Sequence, residues 1–349
     1  MHKIKFETDY QEGASPEILE RLISTNLEQT SGYGEDPHCQ HAKDLIRREI
    51  NRPNSAVCFM AGGTQTNTTV IKHLLTPCEG VISVSTGHIN VHESGAIEST
   101  GHKVLTLQGH NGLLNAEDLR AYMEAFNADP TNSHMVQPGM VYISYSSELG
   151  TIYTKSMLTE IKRVCENFGL KLFVDGARLG TGLTSEASDM NIKDIANLCD
   201  AFYIGGTKNG ALFGEAVVFP EPERINLKHF TTIIKQQGGL LAKGRLLGIQ
   251  FEVLFEDGLF YRNAKHANTQ AMKIKRAFIE KGIPFLIDSP TNQQFPILTR
   301  QQNETLSENF SYELWQPLND GKSAVRFCTS WATSDSNINE LVKAIQKLS

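Results

Sequence analysis

Nothing in the 349-residue chain approaches the roughly 18 consecutive apolar residues that a membrane span requires. Residues 1–10, MHKIKFETDY, also lack the apolar core of a secretion signal, so a cytosolic location is the default expectation. Six cysteines, at positions 39, 58, 78, 165, 199 and 328, show no paired spacing. Cys58, Cys165, Cys199 and Cys328 fall within apolar patterns where a thiol acts as a small core residue, and no disulfide framework is expected. The formal net charge of −6 is spread without a block of one sign, which gives no support to a nucleic-acid partner. No Gly-x-Gly-x-x-Gly follows a first strand, and no Gly-x-Ser-x-Gly elbow is present, so neither nicotinamide nor serine-hydrolase chemistry is indicated. His38-Cys39-Gln40-His41 resembles a small metal cluster, but it opens an apparent helix without a second ligand pair, and no metal is expected.

What is present is a long alternation of strand and helix patterns from about residue 40 to 220, which predicts a largely parallel sheet covered by helices. Seven apolar runs read as strands: 57–61, 80–84, 103–107, 140–145, 171–174, 201–204 and 216–219. Leu158, Ile161, Cys165 and Phe168 mark one intervening helix, which Gly169 is suited to end. Beyond Arg245 the texture changes. Residues 246–260 predict a long apolar helix, 264–281 an amphipathic one, and short strands are expected at 283–287, 295–298 and 324–327. A last helical stripe of Ile338, Leu341, Val342, Ile345 and Leu348 follows Asn337, with Glu340 completing an expected capping box. The fold class is therefore α/β, with a large domain over 1–250 and a smaller C-terminal α+β domain over 251–349.

Two residues stand where ligand-binding groups collect in α/β proteins, at the carboxyl ends of strands. Asp175 follows the run 171–174 in Asp-Gly-Ala-Arg-Leu, and Lys208 follows 201–204 in Gly-Gly-Thr-Lys-Asn-Gly. A lysine amine that forms a Schiff base and a carboxylate that keeps a pyridine nitrogen protonated are the two anchors pyridoxal phosphate needs. Upstream, Gly62, Gly63 and Thr64 sit between a strand and a helix, where free backbone N–H groups can cradle a phosphate. A glycine pair at that place also serves as plain turn chemistry.

The order of these motifs, with Gly-His-Ile-Asn-Val-His-Glu at 87–93, Tyr-Gly-Glu-Asp-Pro at 33–37 and Val-Arg-Phe at 325–327, resembles the low-specificity L-threonine aldolases. These belong to the β-eliminating lyase group of fold-type-I pyridoxal phosphate enzymes, and the resemblance covers nearly the whole chain. It implies a pyridoxal 5′-phosphate cofactor, a small β-hydroxy amino acid as substrate, and a homodimer or homotetramer. It places His88 on the ring face within reach of the substrate hydroxyl, although His88 and His92 could instead simply share a helix face. Arg178 and Arg326 become the clamps of the substrate α-carboxylate, a task that suits arginine's planar fork; Arg326 could equally be a strand surface residue. Thr207 is placed to give a hydroxyl to the phosphate, and Tyr33 to line this pocket or a neighbouring subunit's.

Two departures from the family pattern carry expectations of their own. Tyr145 stands where many of these aldolases carry a second active-site histidine, and a phenol is a poorer base at neutral pH. Residues 236–243, QQGGLLAK, replace a family stretch containing an arginine, with Lys243 as an available point charge or a solvated lysine. The expected reaction is cleavage of the Cα–Cβ bond of L-threonine or L-allo-threonine to glycine and acetaldehyde, with His88, a water near it or Tyr145 handling the hydroxyl proton. β-Elimination, transamination, racemisation and a silent binding protein are the alternatives.

Overall fold

The computed structural model describes residues 3–349. Seven strands, β1 (Ala56–Met60), β2 (Glu79–Val84), β3 (Val104–Leu107), β4 (Gln137–Ser144), β5 (Lys171–Asp175), β6 (Ala201–Gly205) and β7 (Glu215–Phe219), form one sheet in the order β1-β7-β6-β5-β4-β2-β3. Only β7 runs against its neighbours; the other pairings are parallel. All seven expected strands are present with shifted ends, β4 starting at Gln137 rather than Met140.

Because strand side chains alternate between faces, each run splits into two sets. Val141, Ile143, Val174, Phe202 and Ile204 enter one apolar cluster with the helices Pro37–Glu49, Lys155–Phe168 and Arg245–Glu256. Met140, Tyr142, Phe173 and Tyr203 enter the opposite cluster with Val70, Ile71 and Leu74 of the helix Gly63–Leu74. A sheet buried on both faces accounts for the near-continuous apolar runs. Helix Lys155–Phe168 is stopped by Gly169 at φ 69°, as its position after Phe168 predicts.

The C-terminal part departs from expectation in four places. The two helices expected over 246–260 and 264–281 are present as Arg245–Glu256 and Leu259–Glu280, with the break moved forward to Gly258, which adopts φ 68°. Residues 283–287 form no strand, only an isolated bridge of Phe285 with Pro296. The strand expected over 295–298 lies at Ile297–Thr299 and pairs with Lys322–Cys328, which also pairs with Glu313–Pro317. The final helix starts at Asp335 under a Ser334 cap that accepts from Asn337 N–H, so Asn337 lies inside the helix rather than capping it. The chain's first strand, Ile4–Lys5, pairs with Phe310–Ser311, and Phe6 is buried with Phe310 and Phe327 in a third apolar cluster. This crossing brings the next few residues, Asp9 and Tyr10, to the large sheet.

Candidate active site

The sheet alternation that buries Tyr142 and Tyr203 on one face also points Asp175 that way, two residues beyond Phe173. Both tyrosine hydroxyls donate to the Asp175 carboxylate, one to each oxygen, and Ala177 N–H donates at 2.9 Å. Burial opposes ionisation of Asp175, but the neighbouring His88 and these donors outweigh it and hold its pKa below the usual carboxylate value. The turn after β5 needs its glycine: a Cβ on Gly176 would stand 1.8 Å from the Tyr203 carbonyl oxygen. That close approach of the β5 and β6 ends keeps Asp175 near Lys208.

Lys208 follows β6 and lines a pocket with Tyr10, Gly62, Gly63, Thr64, His88, Asp175 and Arg178. Burial, with the nearby Arg178 charge, lowers its amine pKa. Its Nζ makes no hydrogen bond among the described residues and stands 5.8 Å from the Tyr10 ring centre. Glu215 on β7 is a further buried carboxyl on this wall; it accepts from Gly206 N–H at 3.1 Å and Thr207 Oγ1 at 2.8 Å, and burial pushes it up to about 8. Thr207 lines the pocket as expected, with its hydroxyl against Glu215.

Helix Gly63–Leu74 opens with no side-chain cap on its first N–H groups. A Cβ on Gly63 would lie 3.2 Å from the Tyr203 hydroxyl, so the small residue keeps the cradle open beside the Asp175 network. A helix start with free donors, a partly enclosed unbonded lysine amine and a carboxylate fixed by two phenols together fit pyridoxal phosphate: Gly62–Thr64 for the phosphate, Lys208 for the aldehyde carbon and Asp175 for the ring nitrogen.

His88 is held from two sides. Its Nδ1 lies 2.7 Å from Glu93 Oε1, and its backbone N–H donates to Glu148 Oε1 at 3.1 Å. A carboxylate only accepts, so Nδ1 carries a proton, and in the neutral ring Nε2 is the acceptor. Asn67 Nδ2 links Glu93, at 2.7 Å, to Asp175, at 3.0 Å.

Arg178 has a partner that motif reading missed. Its Nε and Nη2 donate to Asp9 at 2.7 and 3.0 Å, and Asn292 Nδ2 donates to the same carboxylate at 2.9 Å. Burial of Asp9 works against its charge, but Arg178 and Lys208 hold the carboxyl well below its usual range. One edge of the guanidinium is thus occupied, while Nη1 and the second proton of Nη2 remain for a ligand carboxylate.

Tyr145 lies elsewhere, and Arg326 and Tyr33 are not among the residues lining this pocket. Tyr145 shares its strand face with Val141 and Ile143, is fully buried in the core, and bonds Ser188 Oγ at 3.2 Å; Ser144, Ser146 and Glu148 line the pocket instead. Arg326 is buried outside the pocket lining, donating to Gln293 Oε1 at 3.1 Å and the Glu7 carbonyl at 3.2 Å and pairing with Glu313, because its strand is drawn into the C-terminal sheet. Tyr33 is half exposed, at φ 59°, with Lys235 Nζ 4.6 Å from its ring centre. Lys243 is exposed and also away from the pocket. At the His38–His41 segment the structure supplies acids the sequence pattern did not show: His41, Glu252 and Glu256 present ligand atoms within 4.8 Å of one another, with Arg21 paired to Glu256 at 2.8 Å.

Residues 5–299 match the model of the β-eliminating lyase family. The chain belongs to that family. It is 29% identical, over 98% of its length and 97% of the relative's, to the low specificity L-threonine aldolase of Pseudomonas sp. (strain NCIMB 10558). The solved threonine aldolase of Leishmania major matches with 42% identity and a TM-score of 0.95, covering 99% of both chains. Thermus thermophilus aspartate aminotransferase, at 14% identity, a TM-score of 0.73, and coverage of 99% of this chain and 91% of its own, shares the fold.

Proposed function

We propose that this β-eliminating lyase family member is a pyridoxal phosphate-dependent aldolase that cleaves β-hydroxy-α-amino acids at Cα–Cβ, taking L-threonine or L-allo-threonine to glycine and acetaldehyde. The observation that carries this reading is His88: Glu93 on Nδ1 leaves Nε2 as an acceptor beside Lys208 and Asp175. An aldol cleavage needs a base for the β-hydroxyl proton, and a β-elimination needs instead an acid for a leaving hydroxide. The names of its relatives point the same way.

Pyridoxal phosphate, held by Lys208, Asp175 and the 62–64 cradle, supplies a ring that accepts the electron pair left at Cα. The free edge of Arg178 takes the α-carboxylate, and Asp9 fixes the plane of that edge, so the clamp orients the bond to be broken. His88 Nε2 takes the β-hydroxyl proton as the aldehyde departs. Asp175 stays ionised through its two phenol donors, which keeps a counter-charge at the ring-nitrogen end. The pocket wall of Ser144, Ser146 and Glu148 is polar, which suits a hydroxylated substrate.

We place the protein in the cytoplasm as a homodimer or homotetramer. Free cysteines at all six positions support a reducing compartment, and no helix among the described residues is long and apolar enough to cross a membrane. Support for the oligomer comes from Leu27 and Ile23, which are 90% and 77% exposed, and from Tyr33, which is free to reach a neighbouring subunit's pocket. Light scattering on the purified protein tests the assembly.

Incubating holoenzyme with L-threonine and separately with L-allo-threonine, and following products by proton NMR, tests the reaction. Glycine with acetaldehyde supports it and ranks the diastereomers. An oxo acid moves the assignment to elimination or transamination, and interconversion of stereoisomers moves it to racemisation.

A further inference from the structure

Asn67 lies one turn into the helix Gly63–Leu74 that opens at the glycine cradle, and its side chain is fully buried. Its Nδ2 donates to Glu93 Oε1 at 2.7 Å and to Asp175 Oδ2 at 3.0 Å. Both neighbours are carboxylate oxygens, which only accept, so the NH2 end of the amide faces them and each of its two protons has its own destination.

The bond to Glu93 falls on an oxygen already in use. His88 Nδ1 lies 2.7 Å from the same Oε1. The Glu93 side chain has no exposed surface, and its Oε2 has no partner among the described residues. Asn67 and His88 therefore divide one oxygen of a buried carboxylate between them. A carboxylate stabilised by the Asn67 amide gives less stabilisation to a second proton on the His88 ring.

Asp175 acts in the same sense. It is near enough to feel the charge of His88, and Asn67 is one of its donors beside Tyr142, Tyr203 and Ala177 N–H. The other groups around the imidazole are Glu148 on its backbone N–H, the His92 ring with its centre 5.6 Å away, and Arg178, Lys208 and Glu215 on the pocket wall. None of these bonds to Asn67, so its removal acts on His88 through Glu93 and Asp175 alone, and in one direction.

We infer that Asn67 is a positioning residue: its amide ties Glu93 to Asp175 and, by sharing Glu93 Oε1 with His88, keeps His88 Nε2 free of a proton to lower pH. The aldolase reading gives that free nitrogen its use as a base, and the inference rests on it in no other respect.

Diethyl pyrocarbonate acylates imidazole only at an unprotonated nitrogen, and the His88 side chain is 32% exposed. Its rate at His88, followed by peptide mass spectrometry between about pH 5 and about pH 8.5, therefore titrates this one ring. Wild-type, Asn67→Ala and Asn67→Ser holoenzymes are compared, with cofactor content measured for each. Alanine raises the His88 midpoint by about half a pH unit to one unit, a fraction of a lost charge-assisted hydrogen bond. Serine, with one proton for two carboxylates, moves it the same way. His110, exposed and 2.7 Å from Asp118, keeps its midpoint in all three proteins. A space-filling Asn67 would leave the His88 midpoint where it is, so an unchanged or lowered value in the alanine protein overturns the inference. So does an equal shift at His110, the mark of a general change. If the alanine protein fails to retain cofactor, the serine protein decides by the same criterion. The rate is read without turnover, so a failed product assay removes the aldolase reading and leaves this result standing.

Discussion

Asp9 grips Arg178 along one edge of its guanidinium, across 169 positions of sequence, with both side chains nearly enclosed. The amino-terminal segment therefore joins the candidate site, even though its first strand pairs with the C-terminal strand Phe310–Ser311. Asp9→Asn leaves a buried guanidinium without its counter-charge and should lower the unfolding free energy by about 3 kcal/mol. KM for the amino acid should rise while cofactor content stays near wild type. Urea melts and steady-state kinetics check this; a loss under about 1 kcal/mol together with an unchanged KM speaks against the clamp.

In the proposed reaction Glu93 acts through His88 as a positioning residue. Glu93→Gln replaces a pure acceptor by an amide that can present a donor to Nδ1, and the orientation and tautomer of the imidazole are no longer fixed. kcat should drop by about 10²-fold with KM little changed, and Glu93→Asp should recover part of the loss. Equal losses in kcat and in cofactor content across both variants would assign Glu93 to folding alone.

Tyr145 provides the contrary case. Its ring belongs to the core and its hydroxyl bonds only Ser188 among the described residues. Tyr145→Phe should cost about 1 kcal/mol of stability and leave kcat and the diastereomer preference unchanged. A large loss of kcat in a stably folded Tyr145→Phe protein would return the residue to the site.

His38 bridges Glu28 at 2.8 Å and Glu252 at 2.9 Å, joining the helices Pro37–Glu49 and Arg245–Glu256. Partial burial disfavours its charge, but the bonds it donates to Glu28 and then Glu252 prevail and raise its pKa above the ordinary histidine value. The sign follows from linkage: a raised folded pKa adds stability that is complete below the unfolded value and is lost as pH climbs through the folded one. His38→Gln should thus cost more stability at about pH 6 than at about pH 9. Urea melts at the two values measure the difference, and an equal cost at both contradicts the bridge.

The parts legible in sequence were those carried by short local patterns. Asp175 and Lys208 each follow an apolar run directly, and the glycines beside them mark close backbone approach, so cofactor chemistry could be read from two motifs. Asp9, Glu93, Glu148 and Glu215 were missed because their partners are set by tertiary placement: nothing in residues 1–10 announces a bond to Arg178. Tyr145 was misplaced although a signal existed. Val141, Ile143 and Tyr145 alternate with Tyr142 and Ser144, and the two-residue period already assigns Tyr145 to the apolar face. The break at Gly258 was hidden by the apolar residues on either side of it, which continue one stripe across two helices.

The most direct test of the account is the product balance from L-threonine or L-allo-threonine, whichever is the better substrate, with wild-type and Lys208→Ala proteins. Wild-type protein should give glycine and acetaldehyde in equal amounts without ammonia, and the variant neither product. Ammonia with a four-carbon oxo acid from the wild type, or undiminished cleavage by Lys208→Ala, would contradict it.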